Sequence, residues 1–174
     1  MKASILDLIE RHSPFDELEA RHKDATLVFV EANDNCSSRS NLSGHVTASA
    51  WVLSPDRLET LLTHHRKLDR WLQPGGHIDN DASVQDAALR EAQEETGISD
   101  IHLASESLFD IDVHRIPENK GVPAHFHYDL RFLMIAGNKN YRVSEESNDL
   151  AWLLLTKLER EKLDESVMRM VRKS

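Results

Sequence analysis

Residues 83–97, SVQDAALREAQEETG, limit the fold more than any other segment, because only one helical orientation reconciles their apolar and charged positions. At about 100° per residue, with Glu91 at zero, Val84, Ala87, Ala88, Glu94 and Glu95 fall within roughly 60° of it. Gln85, Asp86 and Gln93 fall on the far side. An ordinary solvated helix sets its acids opposite its apolar residues, whereas here Glu91, Glu94 and Glu95 continue the apolar stripe and turn toward the protein. Burying three carboxylates without compensation is prohibitive. A hard dication supplies the compensation, since Mg²⁺ takes oxygen ligands, keeps several waters and commonly meets substrate phosphates. Arg90, four positions before Glu94, is spaced to hold it as an ion pair. The rival reading, a surface helix with a run of acids, is disfavoured by the facing geometry and the flanking glycines.

The rest of the chain reads as an α/β domain with a mixed sheet, residues 44–174, preceded by a helical extension, residues 1–43. In the extension Ile5, Leu6, Leu8 and Ile9 form one stripe, Ser13-Pro14 is the expected start of a second helix, and residues 33–43 form a polar loop. From Gly44 the period is two: Val46, Ala48, Ala50 and Val52 alternate with His45, Thr47, Ser49 and Trp51, the pattern of a half-buried strand. A second strand is expected near 58–65, Pro74-Gly75-Gly76 punctuates the chain, and Gly97 ends the helix. Further strands are expected near 101–114, 124–136 and 150–155, with a helical tail at 164–172.

Composition excludes several functions. The 174 residues suit one compact unit with a real core. The formal charge of -9, from 21 basic and 30 acidic side chains with no concentrated basic stretch, argues against a nucleic-acid polymer as partner. Cys36 is the single cysteine, so an internal disulfide and a paired-thiolate zinc site are both excluded, and a reducing cytoplasm is the expected location. Asp7 and Glu10 interrupt what a secretory peptide would need, and no apolar run approaches the ~18 residues of a membrane span, so no membrane association is expected.

Ten histidines are a high count for this length. In AHFHYDLRFLMIA, Phe126, Tyr128, Leu130, Phe132 and Met134 share one strand face, and His125, His127 and Asp129 open the other. His45 begins an earlier strand on its polar face and His77 follows the glycine pair, so four imidazoles could converge at one end of a sheet, in the i, i+2 arrangement that metal sites favour. The rival is a polar strand face whose histidines ligate nothing. Asp110, Asp112 and His114 also alternate, either lining the same pocket or facing solvent on an edge strand. Trp51, Trp71 and Trp152 either stack on a base or pack in the core.

Residues 76–98, GHIDNDASVQDAALREAQEETGI, resemble the Nudix box, in which a glycine is followed at fixed spacings by Glu, Arg-Glu, an aliphatic, Glu-Glu, glycine and an aliphatic. Gly76, Arg90, Glu91, Glu94, Glu95, Gly97 and Ile98 match, with Ala92 at the first aliphatic position. Ala82 stands where the first glutamate is expected, with Asp81 beside it. The resemblance covers roughly 44–155 and implies an α/β/α sandwich that hydrolyses a phosphoanhydride bond in a nucleoside diphosphate linked to another moiety. It implies Mg²⁺ or Mn²⁺ held by Glu91, Glu94 and Glu95, with the Gly76 carbonyl as a further ligand and Arg90 orienting the carboxylates. Candidates for the general base are Glu91, Glu95 or an acid of the later loop 144–149, notably Glu145 or Glu146. Arg66, Lys67 and Arg70, just before the box, are candidates for the phosphates of a small-molecule diphosphate substrate. A symmetric homodimer is the assembly expected of such a family.

The histidines are similar to the metal site of type 1 isopentenyl diphosphate isomerase, which shares the fold. His45 and His77 match its histidines, and His125 and His127 stand where it has two acids, an exchange that favours Zn²⁺, Mn²⁺ or Fe²⁺ over Mg²⁺. The isomerase's reactive cysteine falls on Gly75, which disfavours isomerase chemistry. Three readings follow: a metal-dependent hydrolase, favoured by the acid trio; a Nudix-like binding or regulatory domain without turnover, suggested by Ala82; and an isomerase relative.

Overall fold

The computed structural model describes residues 1–66, 69–119, 121–143, 147–158 and 163–174. Two helices, α1 (Lys2–Arg11) and α2 (Glu17–Ala32), lead into β1 (Gly44–Leu53), β2 (Glu59–His65), β3 (Arg70–Leu72) and β4 (Gly75–His77). Then come α3 (Val84–Thr96), β5 (Ile101–Leu103), β6 (Asp110–Ile116), β7 (His125–Ala136), β8 (Ser147–Leu154), α4 (Leu155–Leu158) and α5 (Glu165–Lys173). Among the described residues no helix is long and apolar enough to cross a membrane.

The α3 boundaries follow from its end residues. The Ser83 side chain accepts from the Asp86 amide, and Gly97 takes the left-handed conformation, φ 69°, as its C-cap. Val84, Ala87, Ala88 and Ala92 are buried, and their small side chains let the helix lie close on β1. The start of α2 differs from the Ser13-Pro14 expectation. Asp16 is its N-cap, accepting from the Glu19 amide, while the Glu19 carboxylate turns back to accept from the Phe15 amide. That reciprocal arrangement satisfies two orphan amides, which Ser13 is too far upstream to do.

The mixed sheet is organised around β1. β1 runs parallel to β7 from Gly44↔Phe126 to Leu53↔Ile135, antiparallel to β4 at Thr47↔His77 to Ser49↔Gly75, and antiparallel to β2 at Leu53↔Thr60. On one side β1 therefore exchanges β4 for β2 along its length, and the sheet curls there. β2 continues outward to β3 and β8. The strand expected at 101–114 is two strands: a polar bend separates β5, which pairs with the C-terminal end of β7, from β6, which pairs with its N-terminal part.

Helices cover both faces, giving an α/β/α sandwich. On one face Val46, Ala48, Ala50 and Val52 meet Ala87, Ala88 and Ala92 of α3 together with Ile5, Ile9, Phe29 and Val30 of the N-terminal helices. On the other, Trp51, Leu53, Leu62 and Ile135 meet Leu158, Val167, Met170 and Val171. Trp51 is thus a core residue, its indole N–H donating to Ser174 Oγ at 2.8 Å.

β1 is not half-buried: all ten of its residues are buried. Its polar face is covered by a network of its own. Asp129 accepts from Thr47 Oγ1 at 2.9 Å, Ser49 Oγ at 2.8 Å and Arg131 Nε at 2.8 Å. Arg131 also reaches Asp110 and Asp112, each at 3.2 Å, and Arg169 of α5 meets Asp110 at 2.7 Å and Asp112 at 3.2 Å. Asp110 and Asp112 therefore do not face solvent: they are buried and paired with two guanidinium groups, while His114, 3.2 Å from Asp112, is the member of this trio that reaches the histidines. Lys173 joins Asp110 to Glu19 and so ties the C-terminal helix to α2.

Candidate active site and histidine cluster

The glycine pair of β4 lies under α3. A Cβ at Gly76 would stand 2.5 Å from Glu91 Oε1, so any larger residue here would push the carboxylate off this backbone. The Gly75 amide donates to Glu95 Oε1 at 3.3 Å. Two of the three acids on the α3 stripe thus rest against the β4 backbone, and the Glu91 side chain is only 15% exposed. The third does not. Glu94 is 62% exposed and stands at the rim, because its position is the edge of the stripe and its nearest cation, Arg90, is on the same outer turn.

Arg90 is the hub of this group. It donates to both oxygens of Asp81 at 3.0 and 2.9 Å, to Glu91 at 2.9 Å, to Glu94 at 3.1 Å and to the His77 carbonyl at 3.0 Å. The hydrogen bonds to Asp81 come first in raising the Arg90 pKa, and the guanidinium in turn holds the Asp81 carboxyl below its ordinary range. Asp81 joins this group although the motif spacing gives the acid's place to residue 82. It stands one position before Ala82, and the signal was its adjacency to the vacant glutamate position.

The basic candidates have other partners. Arg66 donates to the Ser147 carbonyl at 3.4 Å, and Arg70 pairs with Asp164 at the start of α5, 3.1 Å away. Lys67, Glu145 and Glu146 lie outside the described residues. Trp71 and Trp152 border a cavity of about 380 Å³ between β2, β8 and α4 that none of the box glutamates lines.

Beyond Gly76 the chemistry changes from oxygen to nitrogen. The β1–β7 register sets His45 opposite His127, and the β1–β4 register sets His77 two positions diagonally from His45. Ligand atoms of His45, His77 and His127 lie within 4.8 Å of one another, the one such group of three or more among the described residues. His125 adds a fourth ring, its Nε2 3.3 Å from His127 Nε2, and His114 packs its ring 5.5 Å from that of His127. Burial lowers the His77 pKa to about 4, with Arg39 adding to the effect, and lowers that of His127 to about 2, with His45 and His114 contributing. The His45 pKa is lowered by burial and then by His125. These rings are neutral at neutral pH.

The family model of the NUDIX domain matches residues 44–173. The chain belongs to the Nudix hydrolase family. A curated relative, the "Probable DHNTP pyrophosphohydrolase" of Lactococcus lactis subsp. cremoris (strain MG1363), is 28% identical over 170 residues, spanning 95% of this chain and 96% of the relative. Among solved structures, an Ap4A hydrolase of C. elegans in a binary complex superposes with a TM-score of 0.58 at 20% identity, covering 74% of this chain and 93% of that one. A MutT Nudix hydrolase from Burkholderia pseudomallei gives a TM-score of 0.58 at 23% identity, covering 75% and 97%. These two likenesses establish the Nudix fold. Within it, a side chain at Gly75 would collide with Ser49 Oγ, so a reactive cysteine has no room there. Cys36 is buried in the core, its thiol pKa raised by burial.

Proposed function

We propose that this Nudix protein is a divalent-metal-dependent pyrophosphohydrolase that cleaves a phosphoanhydride bond in a small-molecule substrate. The supporting observation is the seat of Glu91 on the Gly76 backbone, with Arg90 clamped between Asp81 and the box acids. This donor set fits a hard ion, since carboxylate oxygens and a backbone carbonyl are the ligands that Mg²⁺ and Mn²⁺ prefer. Glu91, Glu95 and the Gly76 carbonyl would hold it, with Glu94 joining from the rim. Such an ion supplies charge neutralisation at phosphate oxygens and makes water more acidic. Arg90 keeps Glu91 and Glu94 from drifting apart, and Asp81 keeps Arg90 in place. The water proton passes to a box carboxylate, Glu91 or Glu95.

Asp81 also weakens the case for a domain without turnover. That reading rests on Ala82, and the Asp81 pair with Arg90 does the anchoring that a glutamate at 82 would do. The name of the Lactococcus relative makes DHNTP the first substrate to try, with Ap4A and other nucleoside diphosphate derivatives beside it. Each is incubated with Mg²⁺ or Mn²⁺ and followed by phosphorus NMR for release of pyrophosphate or a phosphate monoester. Turnover of at least one compound that drops in Glu91→Gln is expected. Equal rates in wild type and Glu91→Gln, or no product from any compound, would overturn the assignment.

A further inference from the structure

We propose that His45, His77, His125 and His127 form a second metal site, made wholly of imidazole nitrogens, for a borderline-soft transition dication of the zinc type. It lies on the other side of the Gly76–His77 peptide from the carboxylates and joins β1, β4 and β7.

Three observations carry it. First, His45 is 3% exposed, and neither of its ring nitrogens makes a well-formed hydrogen bond, the Asn41 backbone being close enough only to approach it. Buried polar atoms are nearly always paired, and an imidazole always presents one N–H and one lone pair or two N–H groups. A cation that takes the lone pair accounts for the nitrogen facing the other three histidines, and the remaining N–H is left to the Asn41 backbone. Second, His125 Nδ1 lies 2.8 Å from the Pro123 carbonyl, which can only accept. The ring proton therefore sits on Nδ1 and the Nε2 lone pair faces His127 Nε2 at 3.3 Å. A carbonyl that fixes the tautomer of a histidine from behind is the usual support of a metal ligand. Third, ring centroids within the group are 4.7 to 5.3 Å apart, the rings come from three strands, and no carboxylate stands among the four. An all-nitrogen set selects zinc-like ions and discriminates against Mg²⁺, which demands oxygen.

The placement has a mechanical consequence. The His77 carbonyl accepts from Arg90 at 3.0 Å, so an ion that fixes the His77 ring also fixes one of the points from which Arg90 is hung. The histidine ion thus supports the carboxylate group while remaining separate from it.

The test uses the tag-free full chain stripped with a chelator and titrated with Co²⁺ in a large excess of Mg²⁺. Visible absorption of nitrogen-ligated Co²⁺ should saturate at about one ion per chain, Zn²⁺ should abolish it, and Zn²⁺ should raise the melting temperature. Glu91→Gln should keep the spectrum, whereas His127→Ala and His45→Ala should lose it. His125→Ala, at the accessible side of the group, guards against misfolding of the buried variants and should weaken Co²⁺ binding by about tenfold or more. A wild-type chain that binds no Co²⁺ under Mg²⁺, or a spectrum lost in Glu91→Gln and kept in the histidine variants, would overturn the proposal. Loss of turnover alone, with Co²⁺ binding intact, would count against the hydrolase reading and leave the histidine site supported.

Discussion

On either side of Gly76–His77 the molecule places a polar cluster, and the two solve the cost of polarity differently. The carboxylate group is negative and partly open, with Arg90 as the one built-in cation among Asp81, Glu91, Glu94 and Glu95. The histidine group holds an almost fully buried ring with two unmatched nitrogens. A group that exchanges ions and substrate with solvent tolerates a built-in counterion, because Arg90 can remain when a dication arrives. The histidine group has no counterion of its own, and the proposed ion would meet the cost of burying the His45 ring. The Asp110–Arg131–Arg169 network is a third case, in which protein charges satisfy one another.

The largest effect should come from breaking the open cluster at its closest contact. Gly76→Ala sets a methyl against the Glu91 carboxylate and should lower kcat/KM by about 10²-fold, the usual consequence of displacing a catalytic group by an ångström. Steady-state kinetics beside a thermal melt separates this from unfolding. Asp81→Ala should cost less, roughly tenfold, since Arg90 keeps its other partners. Moving the acid into the motif position, with Asp81→Ala and Ala82→Glu combined, should recover most of that loss. A double variant no better than the single one would show that Asp81 does more than anchor Arg90. Smaller again is the Glu94→Gln effect, expected to be several-fold weaker than that of Glu91→Gln because Glu94 stands mostly in solvent. A larger effect at Glu94 would reverse the ranking of the two acids.

The smallest effect on turnover is expected at a self-satisfied cluster, where the change is read as stability instead. Burial would raise the Glu19 pKa, but hydrogen bonds from His12, Lys173 and the Phe15 amide more than reverse this, bringing it from 4.5 to about 2. Between those values the unfolded chain takes up the proton first. The stabilisation is therefore complete above pH 4.5 and lost as the pH falls toward 2. Melting temperatures across that acid range should fall less steeply for Glu19→Gln than for wild type, and parallel curves would count against the linkage.

Much of the candidate site was legible because it depends on local periodicity. Helical spacing put Glu91 and Glu95 on the apolar side of residues 83–97, and alternation put His125 and His127 on one face of a strand. What escaped was decided by partners distant in the chain. Glu94 looked equivalent to Glu91 by angle, yet β4 lies beneath one and not the other. Asp110 and Asp112 read equally as pocket-lining or solvent-facing acids, and it is Arg131 and Arg169, far along the chain, that close over them. Asp16 displaced Ser13 as a cap through a reciprocal bond from Glu19 that no single-residue preference anticipates.

The amino-acid order by itself determined which side chains share a face, where α3 stops, and that the 76–98 segment has the Nudix spacing, since these follow from backbone geometry over a few residues. Only the tertiary structure decided what each face meets. The parallel β1–β7 register and the short antiparallel β1–β4 contact bring His45, His77 and His127 together across more than eighty residues of chain, and no local rule specifies which strands become neighbours.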